Sequence, residues 1–423
     1  MDRNNHIYKS YCQILKEELV PAMGCTEPIA LAYCASKCKD FIDDDIKEVQ
    51  IEVSGNIIKN VKSVIVPNTG GLKGIEASVT AGIVAGKSDK ILEVISEVND
   101  QQKKDMKTFL QQTPIKVEPL ESEYALDMKI TIISNKHKAT VQIAGYHTHI
   151  VYISKDDKVL YQDGVTSDES NLSDRSILNV KDIVEFADHV DIDDIKDIID
   201  KQIECNTAIA EEGLKNNWGA NIGSTLLKVY GEDVKTKAKA YAAAGSDARM
   251  SGCEMPVIIN SGSGNQGMTA SLPVIVYAKE YNISKEKLYR ALVLSNLCTI
   301  HQKTGIGRLS AYCGAVSAGI GAGCGIAYLL GGDYVTVAHT LVNGIAIVSG
   351  IVCDGAKPSC AAKIASSVDA GILGYYMYMN GYQFRGGDGI ISKGVENTIR
   401  NIGRLSSQGM KETDKEIIKI MCD

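Results

Sequence analysis

Apolar positions change their period along this chain, and the changes divide it. Residues 7–39 show helical spacing interrupted once: YKSYCQILKEELVPA, then the turn MGCTEP, then IALAYCASKC. Pro28 suits a first helical turn and Thr26 a cap just before it, which sets Cys25 beside a helix N-terminus. Aligned amides there favour a thiolate, so a lowered Cys25 pKa is expected. Residues 47–165 differ. KEVQIEVSG, KSVIVPNT, KITIISN, KATVQIAG and HTHIVYISK read as strands with partial alternation. GLKGIEASVTAGIVAG and KILEVISEVNDQQKKDMKTFLQQ read as helices between them. A polar connector covers 166–180. From about 181 the spacing is nearly all helical, with glycine-rich breaks at 261–267, 304–307 and 386–389.

The pattern predicts an α+β multidomain chain. A large all-helical domain spans 175–423, and a smaller α/β domain is inserted over 47–165. The N-terminal helices of 1–46 are expected to pack back onto the helical domain. Two uncharged runs, 309–332 and 334–353, are long enough to span a bilayer. They are rich in Gly, Ala and Ser, and the second carries His339 and Asn343. Closely packed buried helices are therefore expected, and no membrane partner.

Composition sharpens this picture. A chain of 423 residues with 44% apolar content can bury a large core. A net charge of −7, without a basic run, argues against a nucleic-acid partner. The polar start MDRNNHIYKS has no apolar run behind it, so a cytoplasmic location is expected. A homo-oligomer stays open. Twelve cysteines in a reducing compartment would be thiols that bind metal or do chemistry. Cys12, Cys34, Cys38 and Cys205 fall in helical patterns and read as small core residues. Cys313, Cys353 and Cys360 lie in an uncharged, small-residue stretch, the last two framing CDGAKPSC. Three thiolates from separate elements suit a metal centre with one position free. Their spacing alone does not choose between a zinc site completed by a histidine and an iron–sulfur cluster.

Gly262, Gly264 and Gly267 satisfy GxGxxG after the short strand MPVIIN, but no βαβ unit follows. The loop Ser261, Gly262, Ser263, Gly264, Asn265 ahead of a helix can instead offer backbone N–H groups to a carboxylate. It can equally be a tight helix entry. His301, Lys303 and Arg308 read as a basic loop able to contact a substrate carboxylate, or as a solvated one. His147 and His149 alternate on a strand pattern and would share one face.

CDGAKPSCAAKIASS resembles the cluster-cysteine segment of bacterial iron–sulfur L-serine dehydratases. AYCGAVSAGIGAGCGIAYLLGG resembles the upstream segment of the same superfamily, and PAMGCTEPIALAYCAS resembles its L-cysteine desulfidase branch. SGSGNQGM and the C-terminal GGDGI extend the likeness over most of the chain. The resemblance implies a cytoplasmic carbon–sulfur lyase in which a [4Fe-4S] cluster is held by Cys313, Cys353 and Cys360. One iron would stay open to a small amino-acid substrate, and no pyridoxal phosphate is needed. Cys25 would act as base or labile fourth ligand, Cys298 and Cys324 would be core residues, and Cys422 could cap the open iron. L-Serine dehydration on the same cluster remains an alternative, as does a zinc-stabilised helical protein without activity.

Overall fold

Alternation along the strand Ile46–Val53 sets the first layer. The structure, a computed structural model, describes residues 1–164, 172–307 and 310–422. The chain begins with α1 (His6–Glu18), β1 (Pro21–Met23) and α2 (Thr26–Lys39), then β2 (Ile46–Val53). Helices α3 (Gly55–Val61), α4 (Gly74–Ala85) and α5 (Asp100–Gln112) lead to β3 (Ile115–Pro119). Strands β4 (Asp127–Ser134), β5 (Lys138–Ala144), β6 (Ile150–Lys155) and β7 (Lys158–Gln162) follow. The sheet order is β3-β2-β4-β5-β6-β7. Only β2 and β3 run parallel, because the α3–α5 crossover joins them. Val49 pairs with Ile132 and Ile51 with Ile130, which turns one apolar row towards α2 and α4.

The remainder is helical: α6 (Val180–His189), α7 (Lys196–Lys215), α8 (Ile222–Tyr230) and α9 (Val234–Met250). After β8 (Pro256–Ile258) come α10 (Gly264–Glu280), α11 (Lys285–Ile306), α12 (Gly314–Leu329) and α13 (Tyr334–Val348). The chain closes with α14 (Cys360–Met379), α15 (Val395–Arg404) and α16 (Lys411–Cys422). Helix α12 is central, and small residues let its neighbours approach. A Cβ on Gly319 would lie 2.4 Å from the Ser367 backbone, and one on Gly323 2.5 Å from the Gly371 carbonyl. The glycine-rich, membrane-length runs are thus a helix-packing device. Among the described residues no helix is long and apolar enough to cross a membrane.

Several expected elements differ. KSVIVPNT is no strand; it keeps a single bridge, Ile65 to Lys73, because Pro67 lacks a donor and the turn behind it is left-handed at Asn68, Gly70 and Gly71. The expected turn MGCTEP shrinks to Gly24 and Cys25, since Met23 ends β1 and Thr26 opens α2; Pro21 of β1 pairs with Ile258 of β8. Cys25 itself is the N-cap of α2, one residue earlier than expected. Helix α1 joins the helical core, but α2 packs on the sheet and α4. The long helix expected before β3 is a 3-10 turn and then α5, restarted by an Asn99–Gln102 capping box. Strands β3 and β7 are largely exposed edge strands with little alternation to reveal them. The glycine-rich breaks are shorter than expected: α10 already starts at Gly264 and α11 runs to Ile306.

Candidate active site

Four helices start at one cavity of about 380 Å³. Cys25 is the N-cap of α2, Ser263 of α10 and Cys313 of α12, while Cys360 is the first residue of α14. All four residues line the cavity. None of these helix starts has a side-chain cap, so their first-turn amides and positive dipole ends face inward. Such a place favours thiolates and other anions.

Local pairing brings the cysteines together. Tyr312 and Val352 form an antiparallel bridge. On either side, Cys313 N–H donates to Ile351 O at 3.1 Å and Cys353 N–H to Ala311 O at 2.6 Å. Residues flanking a bridged pair point to one face, so the 313 and 353 side chains meet diagonally. Cys360 comes up through the turn at Gly355, whose φ of 91° and close seat on Lys59 O (1.9 Å from an added Cβ) admit only glycine. The Cys360 thiol faces Gly355 O at 3.5 Å.

Charge around the thiols is uneven. The Cys313 thiol donates to Cys353, which holds Cys313 well above its ordinary range, with burial adding to it. The same bond, with Lys59 and Lys303 nearby, draws Cys353 below its ordinary value against the effect of burial. Cys360 is raised by burial. Cys25 is also raised well above its ordinary value, first by burial and then by Glu27, whose Oε2 lies 3.3 Å from Sγ. The lowered pKa expected from the helix start is therefore overturned: desolvation and a carboxylate outweigh the dipole.

Ser261, Gly262, Ser263, Asn265 and Lys303 line the cavity with the cysteines. Gly264 does not; its missing side chain makes room for the Arg249 guanidinium, 2.4 Å from an added Cβ. His301 is a correction. It lies inside α11, not on a loop, and its Nε2 is 2.7 Å from Glu396 Oε2, so it is not at the cavity. Arg308 lies outside the described residues, as does the Cys422 side chain. His147 and His149 stand in the turn before β6 and not on a strand. His147 lines the cavity, whereas His149 stacks on Tyr146. Cys298 and Cys324 are fully buried in the helical core. Cys34 and Cys38 contact carbonyls of the sheet.

Glu27, Lys59, Asn60, Arg249 and Gln266 also reach the cavity and were not anticipated. Two of them sit inside segments already singled out, MGCTEP and SGSGNQG. Arg249 stands two residues after Asp247 in the small-residue helix AYAAAGSDARM, where no local pattern marked it. Among the described residues, no three His, Cys, Asp or Glu side chains surround one point as a single ion requires. Four cysteines, Cys25, Cys313, Cys353 and Cys360, line the same cavity.

The serine dehydratase alpha chain family model matches residues 88–419. A UPF0597 protein of Desulfitobacterium hafniense is 62% identical over 422 residues, covering 100% of this chain and 98% of that relative. A UPF0597 protein of Lachnoclostridium phytofermentans is 49% identical over 98% of this chain and 100% of its own. One from Treponema denticola is 47% identical over 100% and 99%.

Proposed function

The chain belongs to the serine dehydratase alpha chain family, and from that premise we propose that its cavity performs an α,β-elimination on a small amino acid, with L-cysteine as substrate. One observation carries the reading: four cysteines and four uncapped helix starts share one cavity. Cys313, Cys353 and Cys360 would hold a [4Fe-4S] cluster. When bound, such a cluster supplies a Lewis-acidic iron with an open position for a soft sulfur leaving group.

The chain's own residues supply the rest. The Cys25 thiol points at Glu27, and Asn60 Nδ2 holds the other carboxylate oxygen at 3.2 Å. Burial and the Glu27 charge raise the Cys25 pKa, so its thiolate, once formed, is a strong base for the α-proton. The start of α10 and Lys303 offer positive charge to the substrate carboxylate. Loss of the α-proton and the β-sulfur leaves aminoacrylate and hydrogen sulfide. Aminoacrylate tautomerises and takes up water, giving pyruvate and ammonia. A reducing cytoplasm suits an exposed cluster of this kind.

L-Serine dehydration is the second reading, favoured by the family's own description. Hydroxide leaves less readily than sulfide and needs more proton assistance. Protein purified without oxygen should carry iron and sulfide in equal amounts and form pyruvate faster from L-cysteine than from L-serine. Zinc without iron would sink the cluster; faster turnover of serine would move the reading to dehydration.

A further inference from the structure

A buried cation without an anion stands in the wall of this cavity. Arg249, at the end of α9, is 4% exposed. Its Nη2 donates to Gly24 O at 2.8 Å and its Nη1 reaches Asn265 Oδ1 at 3.4 Å. Its Nε has no partner. Both contacts are to neutral acceptors, and no carboxylate of the described residues pairs with it. Arg175 shows the contrast: less deeply buried, it is held by Glu17 and Glu18. A guanidinium out of water without a counter-charge is costly. Gly264 is shaped to keep it there, since an added Cβ would strike Nε at 2.4 Å.

Gln266 is the complement. It is 6% exposed and its Oε1 accepts from nothing. Its amide is pressed against the start of α12, where a Cβ on Gly314 would fall 2.6 Å from Cδ. An orphaned amide oxygen is also unfavourable. Arg249 abuts the first turn of α10, to which Gln266 itself belongs, and both line the cavity. The wall thus offers an unmatched cation and an unmatched acceptor side by side.

We propose that Arg249 binds the α-carboxylate of the substrate and that Gln266 Oε1 accepts from its ammonium group. One zwitterion satisfies both orphans, and an arginine can meet a carboxylate with two parallel donors. The site selects α-amino acids over amines or carboxylic acids that carry one group alone. This inference rests on the reading of the cavity as an amino-acid site and assigns the two groups that hold the common part of the substrate.

Calorimetry on the full chain, purified without oxygen, tests it with L-alanine, which has no leaving group. Ethylamine and propionate serve as half-ligands. L-Alanine should bind to the wild type, and each half-ligand far more weakly. Arg249→Met should weaken L-alanine about 100-fold and Gln266→Leu about 10-fold. Iron and sulfide content and the melting temperature should stay near wild type in Gln266→Leu. Arg249→Met should leave ethylamine binding unchanged. Unchanged L-alanine affinity in both variants overturns the proposal. So does equal loss of ethylamine and L-alanine, or loss of iron with Arg249→Met while Gln266→Leu binds normally. In the last case Arg249 balances cluster charge. Wild type that binds L-alanine through Arg249 yet yields no pyruvate would sink the elimination and leave this inference standing.

Discussion

Helix starts at the cavity differ from helix starts elsewhere in the molecule. Asn99 and Gln102 close a reciprocal box on α5. Asp233 takes two amides of α9, and Asp333 one of α13. Asn5, Asn179 and Ser284 do the same for α1, α6 and α11. At the cavity, the starts of α2, α10, α12 and α14 go uncapped, with cysteine or serine at the position where the others carry a capping side chain. Some outer helices, such as α7 and α8, also lack a cap, but they bring no donor set to a common cavity. Capping elsewhere secures the fold, while the bare starts keep their amides and dipoles for what enters the cavity.

The cysteines break this comparison most severely. Cys313→Ser, Cys353→Ser or Cys360→Ser should each remove iron and pyruvate formation together, lowering turnover by about 100-fold or more. Cys25→Ala should abolish turnover while most of the iron stays. Metal analysis beside an anaerobic pyruvate assay reads both. Iron retained in all three serine variants would show that the bare helix starts at 313 and 360 hold something else.

A cap can also be added where none exists. Ser263 has the extended backbone of an N-cap, but its side chain accepts from none of the α10 amides. Ser263→Asp should bind the idle amides of α10 and stabilise the fold by about 1 kcal/mol. It should also occupy the place offered to the substrate carboxylate and raise the KM for L-cysteine by about 10-fold. Urea unfolding and steady-state kinetics report the two effects. A stabilised variant with unchanged KM would separate α10 from substrate binding.

How much of this could be read beforehand depended on the range of the forces involved. Strands β2, β4, β5 and β6 announced themselves through apolar, β-branched composition; burial alternates along β2, while β4 and β5 are buried almost throughout. The edge strands β3 and β7 did not, since exposed residues carry no such record. KSVIVPNT had strand composition, but Pro67 and a left-handed turn prevailed. The cysteines drew notice through their small-residue stretch and then through resemblance, but their meeting could not be read, because the Tyr312–Val352 bridge that joins two of them links segments remote in sequence. His301 misled for a related reason: it looked like part of a loop, and the long helix α11 turned it to Glu396. The Cys25 pKa failed because local position gave the dipole but not the burial or the Glu27 distance. Arg249 and Gln266 were silent, as orphaned groups are defined by the absence of partners in three dimensions.

The smallest effect lies on the capped side. Asp233 accepts from Lys235 N–H at 2.9 Å and Thr236 N–H at 3.3 Å, and the Thr236 hydroxyl donates to it at 2.7 Å. Asp233→Ala should cost about 1 kcal/mol of stability, with iron content and turnover unchanged, since α9 starts far along the chain from Arg249 at its other end. The hydrogen bonds from Thr236 hold the Asp233 carboxyl below its ordinary pKa. The contribution is therefore complete above the unfolded carboxyl value of about 3.9 and fades as pH falls through the lower folded value. Wild type and variant should differ in urea midpoint at pH 7 and converge in acid. If Asp233→Ala instead reduced turnover at pH 7 as strongly as Ser263→Asp, capped and bare helix starts would serve the cavity alike, and the contrast between them would carry no functional meaning.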